Sequence, residues 1–186
     1  MNSDLVSSVS VDALRALLHE RFPEAHASPR EDDRAHLETG CRELDAIGLA
    51  KGCVTEVVQV HPSSGSALLL TRLIAGTGTS GQRLALVDGH DSFDPTAPPS
   101  GALQNLLWVR ATSAAEALKA VDLLLRDGNL PLVLLDLALN PQGEIARIPD
   151  SSWQRLRALA EKSASSLLAI TPSQCVPRPH LRILLG

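Results

Sequence analysis

Residues 60 to 68, VHPSSGSAL, join an apolar run to a helical pattern, and their types and spacing are those of a loop that could cradle phosphate. A working phosphate loop reads G-x-x-x-x-G-K-[ST]: main-chain amides hold the phosphates, the Lys reaches the terminal ones and the hydroxyl holds Mg²⁺. On that template Val60 takes the first Gly, Gly65 matches the second, and Ser66 and Ala67 stand where the Lys and the Ser/Thr belong. Main-chain amides at Ser64, Gly65 and Ser66 could still hold an anion, while the positive charge that phosphoryl transfer depends on is missing. No catalytic residue is expected here.

Two further segments carry carboxylates at the ends of apolar runs. DGHDSFDP, residues 88 to 95, offers Asp88, His90, Asp91 and Asp94, which could form a hard-metal or acid/base cluster. Acidic residues after a strand more often accept hydrogen bonds from loop amides, and no metal site is expected. Asp136 ends the apolar run PLVLLD and has the same two readings, a nucleotide-site carboxylate or a plain acceptor for loop amides. His61 with Ser63 and Ser66 suggests serine hydrolysis, but the G-x-S-x-G elbow is absent and that reading is set aside.

The elements that must position these residues alternate short apolar runs with amphipathic helices, as in a parallel sheet built from βα units. CVTEVVQV (53 to 60) is the first strand, and a helix from about Ser66 is expected to end at Gly76 and Gly78. RLALVD (83 to 88), NLLWVR (105 to 110), PLVLLDLA (131 to 138) and SLLAITP (166 to 172) are further strands, and LRILLG is an edge strand or a truncation point. Ser113 with Glu116 forms a capping box for a helix whose stripe is Ala117, Leu118, Val121, Leu124 and Leu125 and whose stop is Gly128. Another helix is expected to cap at Asp150 or Ser151 and to run through Trp153, Leu156 and Leu159. In a doubly wound sheet ligands bind beyond the carboxyl ends of the strands, so the three segments should converge there.

Ahead of this core, Ser10 opens an amphipathic helix with Leu14, Leu17, Leu18 and Phe22 at helical spacing, followed by a charged, Pro-containing linker. The division expected is an arm and linker over 1–36 and a core domain over 37–186. The arm's four apolar residues are candidate anchors in a partner's groove, or pack within the chain.

The chain has 186 residues, enough for one real core, and is built from Leu, Val, Ile and Ala, with two Phe, two Trp and no Tyr. A net charge of −4 and the lack of a Lys/Arg-rich run remove the footprint of autonomous DNA binding, and scarce aromatics remove base-stacking platforms. Little direct nucleic-acid binding is expected. Cys41, Cys53 and Cys175 form no C-x-x-C pair and read as reduced thiols. No basic, apolar leader or membrane-length run is seen, so a soluble, cytoplasmic chain is expected.

In the order and spacing of four segments the sequence resembles the RecA family over residues 39 to 172. TGCRELDAIGLAKGCVTEVVQVHPSSGS follows that family's TG…LD stretch, KG-x-x-x-E strand and PESSGKT-type loop. LALVDGHDSFDP parallels its IDAEHALDP-type segment, NLLWVR the next strand, and LVLLDLA the Walker B strand that would place Asp136 at the nucleotide. In size, with a short helical arm and no L1 or L2 DNA-binding loops, it is most similar to the ImuA-type proteins of bacterial mutagenesis cassettes.

The resemblance implies an α/β, RecA-like doubly wound, mostly parallel sheet flanked by helices, with a short N-terminal helical arm. It puts His90 where the family has its catalytic Glu, and leaves Ser63, Ser64, Gly65, Ser66 and Asp136 as a vestigial nucleotide site with no cofactor. The activity implied is that of an inactive accessory protein of translesion mutagenesis in the SOS response to DNA damage. Its partners would be a Y-family polymerase-like protein of the ImuB type, RecA itself, or further copies of the chain, with no membrane. The alternatives are a SulA-type cell-division inhibitor and a weak ATPase with an unorthodox site.

Overall fold

The computed structural model describes residues 35–61 and 64–186. The expected arm helix, with Leu14, Leu17, Leu18 and Phe22, lies outside the described residues, as does Ser63. Ala35–Gly186 forms one compact unit.

The unit opens with a small antiparallel ribbon, β1 (His36–Leu37) against β2 (Leu49–Ala50), closed around the short helix α1 (Arg42–Ile47). Its TG…LD residues hold it together: the main-chain N–H and the hydroxyl of Thr39 both donate to Asp45 Oδ1 at 2.7 Å. Then follow β3 (Val54–Gln59), α2 (Ser66–Ser80), β4 (Leu84–Asp88), a 3₁₀ turn (Ala102–Asn105), β5 (Leu106–Arg110) and α3 (Ala114–Asp127). β6 (Leu132–Asp136), α4 (Gln142–Ile145), α5 (Asp150–Ser163), β7 (Ser166–Thr171) and β8 (Leu181–Leu185) complete it.

The main sheet runs β5-β4-β6-β7-β3-β8 with every pairing parallel. Strands covered on both faces need no polar alternation, which is why β3, β4, β6 and β7 are buried throughout. Successive side chains still point to opposite faces. Ala85 and Val87 join the core under α3 and α5, and Leu84 and Leu86 the core under α2. The terminal run LRILL is an edge strand beside β3.

Glu56, in the middle of β3, has no exposed surface. Its Oε1 accepts from the Thr171 hydroxyl and the N–H groups of Cys175 and Val176, and Arg182 Nε donates to its Oε2 at 2.5 Å. This one carboxylate ties β7, the loop after it and β8 to the centre of the sheet. Burial, with the Glu56 charge adding to it, pushes the neighbouring Cys175 thiol up to about 12.

Two helix boundaries differ from the expectation. α2 does not stop at Gly76 or Gly78 but continues to Ser80, with Gly81 as its left-handed end. Inside the helix these glycines serve close packing: a Cβ on Gly76 would lie 2.5 Å from the Thr39 carbonyl oxygen and 2.7 Å from the Gly40 carbonyl carbon. A helix tolerates Gly at a cost of about 1 kcal/mol when two backbones must meet. α5 is not capped by Asp150 or Ser151: Pro149 is the N-cap residue, no side chain caps the turn, and Asp150 is its first residue. Among the described residues no helix is long and apolar enough to cross a membrane.

Candidate nucleotide-type site at the carboxyl edge of the sheet

β3 ends at Gln59, and α2 starts at Ser66 with Gly65 as its N-cap residue. Ser64 N–H donates to the His61 carbonyl at 3.0 Å, and Gly65 takes φ 91°, a left-handed conformation that needs no Cβ. No side chain caps α2 and no acidic residue occupies its first turn, so its positive end is left to the main-chain amides. The Ser66 hydroxyl donates to Gln59 Oε1 at 3.2 Å, back toward the strand it follows. Ser64 Oγ is buried without a hydrogen-bond partner. No Lys or Arg occurs between Gln59 and Thr71, and Arg72 is ion-paired with Glu43 at 2.6 Å. The start of α2 thus has unpaired main-chain amides and no cationic side chain of its own segment beside them.

The second and third expected segments meet directly. Asp88, at the end of β4, is the register partner of Asp136 at the end of β6. Gly89 N–H donates to the Asp136 main-chain oxygen at 2.8 Å, and Asn140 Nδ2 donates to the Gly89 oxygen at 2.8 Å. Asp136 Oδ1 accepts one main-chain N–H, from Ala138, at 3.0 Å. Burial pushes the Asp136 carboxyl up to about 6; the Ala138 N–H opposes this and the Asp88 charge adds to it. β7 lies between β3 and β6, so Ser64, Gly65 and Ser66 share the sheet edge with Asp136 but stand about two strand spacings, roughly 10 Å, away from its strand.

The carboxylates after β4 are each taken up locally. Asp88 accepts the N–H groups of Ser92 and Phe93, at 3.0 and 2.8 Å. Asp91 is held in a bidentate pair by Arg110 at 2.5 Å, which keeps its carboxyl below the usual range, and Asp94 accepts both the N–H and the hydroxyl of Thr96. His90 is exposed, with its N–H 3.4 Å from Asp88 Oδ1. Among the described residues no group of three His, Cys, Asp or Glu could hold a metal ion.

Gln59 and Asn140 were not singled out by the sequence. The signal for Gln59 is a polar residue closing an otherwise apolar strand just before the loop. Asn140 has no such signal, because its partner Gly89 lies on another strand's loop.

No family model matches the chain. Among curated proteins it is similar to RecA of Chlorobaculum tepidum, 33% identical over 154 residues covering 72% of this chain and 44% of that protein. RecA of Chlorobaculum parvum is 33% identical over 162 residues, 81% of this chain and 46% of its own length. For RecA of Streptomyces ambofaciens the figures are 32% over 149 residues, 73% and 40%. The chain spans less than half the length of these relatives. Sequence kinship over most of the chain and a parallel sheet flanked by helices, with its loop and carboxylates on one edge, together make this a RecA-like α/β protein.

Proposed function

We propose that the chain is a catalytically silent RecA-like accessory protein of the ImuA type. It works through protein contacts in the response to DNA damage and in translesion mutagenesis, with a Y-family polymerase-like protein of the ImuB type and RecA as partners. The observation that carries this reading is the first turn of α2. The relatives matched over most of the chain are RecA proteins. Phosphoryl transfer requires positive charge placed on the phosphates, and here Ser66 spends its hydroxyl on Gln59 while Ala67 has none to hold a metal. The residues present do not fit a magnesium nucleotide held for transfer, so no catalytic step is assigned to them.

Calorimetric titration with ATP and Mg²⁺ tests this. The wild type should give no binding heat, and a Ser66→Lys, Ala67→Thr variant run beside it reports whether the turn can still accept phosphates. Saturable turnover abolished by Asp136→Asn would overturn the reading. For the arm, a Leu14→Glu, Leu18→Glu variant should lose co-purification with the polymerase-like partner; unchanged co-purification removes the arm as the contact.

A second reading, nucleotide or phosphate binding without turnover, is favoured by one observation. Ser64 Oγ is buried and unpartnered beside the uncapped start of α2, where a bound anion would satisfy it. Micromolar binding of ATP and inorganic phosphate alike, lost on Gly65→Ala, would support that reading.

A further inference from the structure

On the sheet face opposite α2, helices α3 and α5 and the corner before α5 line a groove of about 760 Å³. Its α3 wall runs from Ala115 through Leu118 to Leu123, a length of about 12 Å at the helical rise. The opposite wall is the corner Ile148 and Pro149 continuing into Leu156 of α5. Leu123 is 67% exposed, the most exposed of the large apolar side chains among the described residues.

The charged residues that line it are Lys119, Arg147 and Arg155 against Asp122 and Glu144, a net positive balance. Glu144 Oε2 accepts from the Ala114 N–H, at 2.9 Å, and from Asn140. Asp122 is shared by Arg155 at 2.5 Å and Arg126 at 2.9 Å, so that trio carries a net positive charge. Arg147 is exposed, and among the described residues its guanidinium has no ion pair or hydrogen bond. The groove therefore combines an apolar floor two helical turns long with surplus cationic charge at its mouth.

We infer that this groove docks an acidic amphipathic helix of a partner protein. Apolar anchors at i, i+3 or i+4, and i+7 span about 10 Å along a helix, which matches the length of the α3 wall, and the helix would complete a third layer beside α3 and α5. Glu or Asp residues flanking its stripe would meet Arg147 and Arg155, and a basic helix would be repelled. The groove lies on the other face of the sheet from α2 and shares no residue with the loop before that helix, so the inference stands whether or not that loop binds an anion.

The probe is a pair of designed, stapled amphipathic helices about fifteen residues long with the same Leu stripe, one flanked by Glu and one by Lys. Both are fluorescently labelled and titrated into the full chain at low and moderate salt. The Glu peptide should bind at least about tenfold more tightly than the Lys peptide, and the gap should narrow with salt. Leu123→Glu, at an exposed position and checked for an unchanged melting temperature, should weaken the Glu peptide about tenfold or more. Arg147→Glu should shift the preference toward the Lys peptide. Equal binding of the two peptides, binding unaffected by Leu123→Glu, or no binding of either would overturn the inference. So would concentration-dependent dimerisation in sedimentation that Leu123→Glu abolishes without any peptide binding, since it assigns the groove to a second copy.

Discussion

Glu56 and Asp136 are both carboxylates buried in parallel strands, one in the middle of β3 and one at the carboxyl end of β6, and their surroundings are opposite. Glu56 is surrounded by donors, with a hydroxyl and two main-chain N–H groups on one oxygen and Arg182 on the other. Asp136 accepts a single N–H and faces a second carboxylate, Asp88, across the strand pair. A buried charge that is fully partnered ties the fold together, whereas one that is poorly partnered and beside a like charge is a standing cost. Such costs collect where a sheet opens onto a ligand crevice. The pair thus separates an acid that holds the sheet together from one that the fold leaves poorly partnered at the carboxyl edge.

The largest expected effect tests the first half of that contrast. Glu56→Ala strands Arg182 and three donors, and urea unfolding should show a loss of about 3 kcal/mol or more. Adding Arg182→Leu should recover part of it. Losses that simply add would break the picture of a single network.

Asp136→Asn tests the second half and has the opposite sign. The folded-state pKa, about 6, lies above the ordinary 3.8, so the folded chain holds this proton more tightly than the unfolded chain. Stability from this group therefore falls as pH rises from about 4 through about 6 and stays lower above it. Replacing the charge should raise stability on the order of 2 kcal/mol at pH 7.5, with the gain fading toward pH 4, as read by urea midpoints at both pH values. A loss at pH 7.5 would mean that Asp136 is partnered after all.

The same contrast recurs, more weakly, at two helix starts. α3 is sealed: Ser113 Oγ accepts the Glu116 N–H, and Glu116 reaches back to the N–H and hydroxyl of Thr112. Ser113→Ala should cost about 1 kcal/mol by thermal or urea unfolding. α2 is open, so Ser66→Ala, which removes only the 3.2 Å contact to Gln59, should change stability by less than about 0.5 kcal/mol. Equal losses at the two serines would show that the loop before α2 secures the fold no less than the start of α3 does.

The strands were legible because each is an apolar run too short for a helix and bounded by turn residues, and the box at Ser113 and Glu116 was legible because its spacing is itself the mechanism. The end of α2 was misread because Gly76 acts through the backbone of residues 39 and 40, a contact no local pattern shows. The start of α5 was misread by one or two residues because Asp150 and Ser151 are good caps by type, while Pro149 already stands in the extended conformation of an N-cap. At the candidate site the identities of Ser66, Ala67 and Asp136 could be read directly, but not the turning of Ser66 toward Gln59 or the pairing of Asp136 with Asp88.

What the sequence by itself determined is local and periodic: which segments are strands, which helices cover them, and that no cation stands at the start of α2. Those follow from side-chain type and spacing along one stretch of chain. Only the tertiary structure decided that β7 would part β3 from β6, that Glu56 would gather donors from residues 171 to 182, and that α3 and α5 would leave a groove with a positive rim. Strand order and helix packing are set by how distant apolar faces bury one another. That burial energy is shared among many side chains, so no single segment carries its signature.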